Sequence, residues 1–300
     1  MRRVVLLVLL AAGVATPALG HGEYSPLAPG DVLRAWRPDI ALTLLLLAAA
    51  QGYAIARARL HRRLGRTVIP LRWAAATWAG FGVLWIALVS PLEAVTGTLL
   101  TAHMIQHVIL IAAAPPLLLV GRPGVAIGAL LPAPVWRAFA RLGLARLGAA
   151  VGRPVPAALL HGAAMWVWHA PPLFDAAMTS EPLHQLEHAC FFLTALLFWS
   201  AVFRAARSPS RRIEGAAAIV VTLIQGGLLG ALLTLAGRPL YGHSDAALAW
   251  GLTPLADQQL AGLVMWVPAG AVYLLAGMVI AMRFIGSGPE PSRAEAAHRR

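Results

Sequence analysis

The chain has one cysteine, Cys190, no lysine, and few charges of either sign: 12% of its 300 residues are charged. A single cysteine excludes a disulfide framework and any Cys-x-x-Cys metal site, so a metal held here must take its ligands from His, Met, Asp or Glu. The scarcity of charge excludes an ordinary soluble domain, in which about a quarter of residues are charged. Acidic residues number 12 against 24 basic ones, all of them arginine, giving a net charge of +12. Such an excess would suit nucleic acid if it formed one patch. Most of the arginines instead occupy short connections between apolar runs, so the charge is topological and no nucleic-acid partner is expected.

What the sequence has in abundance is hydrocarbon. Hydrophobic residues make up 59% of the chain, and several uninterrupted apolar runs approach the ~20 residues that cross a bilayer as a helix. Seven spans are expected, at roughly 39–58, 73–92, 97–120, 155–172, 182–203, 214–236 and 259–282. The expected fold class is all-α: a polytopic membrane protein built as a seven-transmembrane-helix bundle in the lipid bilayer. Residues 1–20 read as a cleavable signal peptide, with Arg2 and Arg3, an apolar stretch from Val4 to Ala15, and the small-x-small site Ala18-Leu19-Gly20. A short periplasmic segment (21–38), the membrane domain (39–285) and a disordered cytoplasmic tail (286–300) would follow.

The connections alternate in charge. Arg57, Arg59, Arg62, Arg63, Arg66 and Arg72 load the first, whereas the second, around Pro91 and Glu93, has no basic residue. Arg122, Arg137, Arg141, Arg146 and Arg153 mark the third; Asp175 and Glu181 stand in the fourth; Arg204, Arg207, Arg211 and Arg212 load the fifth. The sixth has Arg238 against Asp245 and Asp257, and the tail is basic again. Positive connections stay inside, which gives an N-out, C-in topology in a bacterial inner membrane. The long third connection, 121–153, reads as carrying an amphipathic helix on the inner surface. Pro115-Pro116 and Pro268 fall inside spans and predict kinks rather than ends, because neighbouring helices can satisfy the freed carbonyls.

Polar side chains inside these spans are few and gathered toward one side. His103 and His107 sit one turn apart near the start of the third span, about 9 and 15 Å below its outer end at 1.5 Å per residue. His169 closes the fourth span with Met165 one turn deeper, and His184, Glu187 and His188 open the fifth. Asp175 lies in the outer connection between them, and Asp257 opens the last span from the same side. An isolated histidine in a membrane helix commonly serves as a hydrogen-bond partner. Two His-x-x-x-His pairs on one side point further, since i, i+4 spacing puts both imidazoles on one helix face and lets a pair hold one ion with a ligand from a neighbouring helix. The expected metal ligands are therefore His103, His107, His169, His184 and His188. Glu187, Asp175, Met165 and Asp257 are candidate additional ligands or orienting groups. Imidazole together with thioether, in a site open to the periplasm, favours copper. His21 would become the mature N-terminus on signal cleavage, and its free amine and imidazole could then chelate copper as well.

At these residues the chain resembles the integral-membrane cytochrome c oxidase assembly factors of the CtaG type associated with caa3-type oxidases. The resemblance covers nearly all of 40–285 and rests on four blocks: His103-Met104-Ile105-Gln106-His107 with Ala114-Pro115-Pro116 and Gly121-Arg122-Pro123; Trp166 to Pro171 with Asp175-Ala176-Ala177; His184-Gln185-Leu186-Glu187-His188 with Phe198-Trp199; and Asp257 through Pro268. Phe174 stands where this family is expected to carry tyrosine, so a phenol there is not required for the shared role. The resemblance implies a seven-helix fold and a non-enzymatic part in maturing the copper centre, with apo-oxidase subunits as partners.

Three other functions compete on sequence alone. His184-x-x-Glu187-His188 fits the inverted zinc-peptidase pattern, in which two histidines bind zinc and the glutamate is the general base of a membrane hydrolase. Histidines on facing helices could instead supply the axial ligands of a haem. A metal permease would need polar groups continuing inward, for which Gln225 and His161 are the only evident candidates.

Overall fold

A computed structural model describes residues 27–128, 134, 150–242 and 245–285. The expected signal peptide (1–20), His21, the expected disordered tail (286–300) and most of the 121–153 connection, with its expected amphipathic helix, lie outside the described residues.

Helix boundaries follow local chemistry. Helix α1, Ile40–Leu64, starts at Asp39, whose carboxylate accepts from the Leu42 amide at 2.8 Å, and ends at Gly65 in the left-handed conformation with φ 60. Helix α2, Leu71–Val89, stops at Ser90, which caps the short α3, Pro91–Thr96. The remaining α-helices among the described residues are α4, Leu100–Val120; α5, Pro123–Gly128; α6, Pro154–Trp168; α7, Pro171–Thr179; α8, Glu181–Ala205; α9, Arg212–Leu235; and α10, Pro254–Ile285. No strand occurs among the described residues.

Six helices, α1, α2, α4, α8, α9 and α10, are long and apolar enough to cross a membrane. The expected fourth span, 155–172, is shorter than read from hydropathy: α6 has 15 residues, a reach of about 22 Å. It stops at Trp168 because Pro171 and Pro172 lack the N–H groups to extend the ladder, and α7 restarts at Pro171. The third span also starts later than expected. With α4 beginning at Leu100, His103 is about 4.5 Å and His107 about 10.5 Å inside the helix.

Helix α4 is central, packed against α2, α8 and α10, while α6 fills the space between α8 and α9. Within α4, residues Ile109–Ala113 form a π-helical segment. Its cause is Pro115-Pro116 on the next turn: Pro115 has no N–H for the Ile111 carbonyl. The Trp199 indole from α8 donates to that oxygen instead, at 2.8 Å, so the helix continues without leaving that buried acceptor unpaired. At the far end of α4, Tyr53 donates to the Gly121 carbonyl at 2.9 Å and Thr77 to the Leu118 carbonyl at 2.9 Å, tying α1 and α2 to its C-terminus. Helices α9 and α10 touch backbone to backbone where Gly230 faces Gly262, and a Cβ on either would strike the other's carbonyl.

The outer surface is apolar. Leu44 and Leu47 on α1, Leu193 on α8, Leu228 and Leu232 on α9, and Leu274 and Leu275 on α10 are exposed. Polar residues of α4, α8 and α10, among them His103, His107, His184, Glu187, Asp257 and Gln258, are buried. This inversion of an aqueous protein's polarity is what a lipid environment demands.

Candidate metal centre

Helices α4 and α8 each carry histidine at their fourth and eighth residues. Because the two helices start at the same end of the bundle, the equivalent turns face one another. His103 and His107 are 4.2 Å apart between ring centres, and His184 and His188 are 4.0 Å apart. Across the helix interface, His103 lies 5.2 Å from His184, and His107 lies 5.2 Å from His188. The two sequence pairs thus form one quartet.

Glu187 joins from the same turn of α8. Its Oε1 is 3.8 Å from His107 Nε2, and both side chains are buried. Two overlapping triads result, His103–His184–His188 and His103–His107–Glu187, in each of which the ligand atoms lie within 4.8 Å of one another. Two metal–imidazole bonds of about 2.0–2.1 Å permit at most about 4.1 Å between donor atoms, so small rotamer adjustments bring either triad onto one ion.

His169, at the C-terminal end of α6, completes the ring at 5.9 Å from His107. Its Nδ1 lies 2.8 Å from the Met165 carbonyl. A carbonyl only accepts, so Nδ1 carries the proton and Nε2 presents a bare lone pair. The Tyr241 hydroxyl donates to the His169 carbonyl at 3.1 Å and holds that turn in place. Burial without hydrogen bonding marks the cluster: His169 Nε2, both ring nitrogens of His107 and both oxygens of Glu187 are buried with no hydrogen-bond partner. Buried polar atoms are ordinarily satisfied, and imidazole lone pairs gathered beside a carboxylate are the donor types that ligate a transition-metal cation. The donor set is of the kind that holds a transition-metal ion.

The other candidates are placed differently. The Asp257 carboxylate takes the Leu100 amide at 2.7 Å and the Thr101 amide at 3.0 Å, so it caps α4 from α10 and positions the turn that bears His103. Asp175 accepts from the Gly242 amide at 3.0 Å. Met165 is buried and lines, with His107, His161, Gln225 and Met265, a cavity of about 360 Å³ beneath the cluster. His161 directs Nδ1 at Thr194 Oγ1, 2.9 Å away, and Thr194 itself donates to the Cys190 carbonyl.

Three aromatic residues belong to the site besides its ligand candidates: Phe174, marked in the sequence only as standing in place of an expected tyrosine, and Phe191 and Tyr241, which no sequence signal marks. Phe174 packs edge-on to His103 at 5.5 Å, Phe191 packs on His107 at 4.8 Å, and Tyr241 stacks near Phe174 at 4.1 Å. They pack around the imidazoles, and Tyr241 lies in an irregular stretch with no periodicity to flag it.

No curated protein and no solved structure matches the chain. A family model does, that of the cytochrome c oxidase caa3 assembly factors, over residues 51–287, which span α2 through α10, most of α1 and every member of the histidine cluster. The chain belongs to the cytochrome c oxidase caa3 assembly factor family.

Proposed function

We propose that this membrane protein binds copper at the His103–His107–His184–His188–Glu187 cluster, with His169 beside it, and hands the ion to an apo-subunit of cytochrome c oxidase. The carrying observation is the convergence of five imidazoles and one carboxylate in a buried centre where His107, His169 and Glu187 have no hydrogen-bond partners. Copper is cargo here. Neutral imidazoles hold cuprous or cupric ion, and they release it more readily than a thiolate cage would. Glu187 supplies a negative charge that offsets the ion's charge inside the bundle. The site lies in the first two turns of α4 and α8, close to one membrane surface, where a partner subunit can reach it.

Orientation belongs to the same proposal. The cluster faces the periplasm, and α6 makes the return pass between α4 and α8 that gives seven crossings with the C-terminus inside. Two features support this: α4 and α8 both begin at the histidine end, and His169 closes α6 at that end. The arginine-rich connections, 57–72 and 204–212, lie at the opposite end.

The hydrolase reading loses its motif as an isolated unit. His184 and His188 are half of a quartet, and Glu187 approaches His107 instead of standing free beside a two-histidine zinc site.

Elemental analysis of detergent-purified protein from copper-replete cells tests the proposal, alongside a variant with His103, His107, His184 and His188 replaced by alanine. Near-stoichiometric copper in the wild type and its loss in the quadruple variant are expected. Zinc or iron in copper's place, or equal copper in both proteins, would overturn it.

A further inference from the structure

At the end of the bundle away from the histidines, a second cavity of about 400 Å³ opens between α2, α4, α8 and α10. Val120 of α4 lies 13 residues beyond His107, and Val202 of α8 lies 14 beyond His188, so about 20 Å of helix separates the two places. Val202 and Ile280 form its buried floor, and Val279 leads outward to an exposed apolar surface. Arg122 and Arg207 also line it, and no acidic residue does.

Arg122 is unusual in three respects. It is the only non-glycine residue with positive φ among the described residues, at 51°. Its guanidinium carbon stands 4.8 Å over the centre of the Trp73 ring. Its Nε is buried with no hydrogen-bond partner. A side chain at positive φ is disfavoured where glycine would be comfortable, and such strain is retained where the side chain has a task. The helix C-termini of α4 and α8 attract arginine on their own, but that attraction requires neither the cavity nor the left-handed backbone.

We propose that this cavity is a binding site for one anionic phospholipid, with the phosphate between Arg122 and Arg207 and an acyl chain along Val202, Val279 and Ile280. Charge complementarity selects the headgroup: guanidinium forks match phosphate oxygens in geometry and sign. The apolar floor selects a lipid over a free anion, because inorganic phosphate would leave that surface unfilled. Basic pockets between membrane helices on the arginine-rich side bind such headgroups by this combination. The inference is independent of whether the histidine cluster holds copper.

Native mass spectrometry of the full chain, released from micelles containing equal amounts of phosphatidylglycerol and phosphatidylcholine, tests it. The expected result is one retained phosphatidylglycerol with roughly a thirtyfold preference, the ratio that two near-surface arginines supply. Arg122→Gly removes the guanidinium while relaxing the backbone, so the variant should fold as well as the parent and lose most of the preference. Ala276→Leu narrows the cavity with both charges intact and should lower lipid retention, which decides the matter should the glycine variant fold poorly. Equal retention of the two lipids by the wild type, or an undiminished preference in a folded Arg122→Gly variant, would overturn the proposal. Displacement of the lipid by inorganic phosphate alone would assign the site to a free anion and overturn it too.

Discussion

Two carboxyls lie near the N-terminal turns of α4, the buried Glu187 and the part-buried Glu93, and they do different things. Glu187 lies against His107 in the cluster. Glu93, in the short α3 outside the membrane-spanning helices, is hydrogen-bonded by the Gln106 amide, which also donates to the Ala87 carbonyl at 2.8 Å. Burial pushes the Glu93 carboxyl up to about 7, against the opposing effect of the Gln106 hydrogen bond. A carboxyl whose folded value exceeds its unfolded value near 4.5 binds more protons in the folded state, so stability falls as pH rises between those two values. Thermal unfolding in detergent should show the midpoint dropping from about pH 4.5 to about pH 7. Glu93→Gln should flatten that window while matching the wild type's acid-side stability. An unchanged slope in the variant would mean another group is responsible.

At the scale of an element, α4 carries half of the site on a regular start and turns irregular beyond it. Its first two turns hold His103 and His107, its middle is π-helical, and its end is fastened by Tyr53 and Thr77. π segments cluster at functional sites because they reaim side chains within a helix. Trp199 makes this one affordable by donating to the Ile111 carbonyl. Trp199→Phe keeps the ring packing and removes the donor, so a loss of about 1–2 kcal/mol in stability is expected. Denaturant titration of the purified protein checks it, and unchanged stability would show that Ile111 finds another donor. Pro115-Pro116 predicted from sequence a kink rather than an end, and the helix does continue through them, with a π-helical segment just before. The donor that makes it possible sits 84 positions beyond Pro115, where no local pattern could announce it. The single span expected at 155–172 divides instead, at His169-Ala170. A hydropathy average runs through Pro171-Pro172 without registering two missing N–H groups.

For the whole molecule, orientation is the property to test first. Cys190 is the one cysteine, so Cys190→Ser clears the background for labelling. Thr179→Cys, at the histidine end, should react with a membrane-impermeant maleimide in intact cells, and Ser210→Cys should react only after permeabilisation. The opposite pattern would put the cluster inside the cell. Composition alone determined the class of this protein: too little charge for a soluble domain, and apolar runs that must be helical in lipid because their backbone has no water to bond. The i, i+4 spacing likewise determined that His103 pairs with His107 and His184 with His188, since 3.6 residues per turn leaves no other outcome. Whether those pairs met depended on the rotation of α4 about its axis relative to α8, and nothing in either helix's own sequence encodes it. Packing set that angle, through Asp257 on the first turn of α4 and Trp199 on its middle. Only the tertiary structure could turn two helical stripes into one centre.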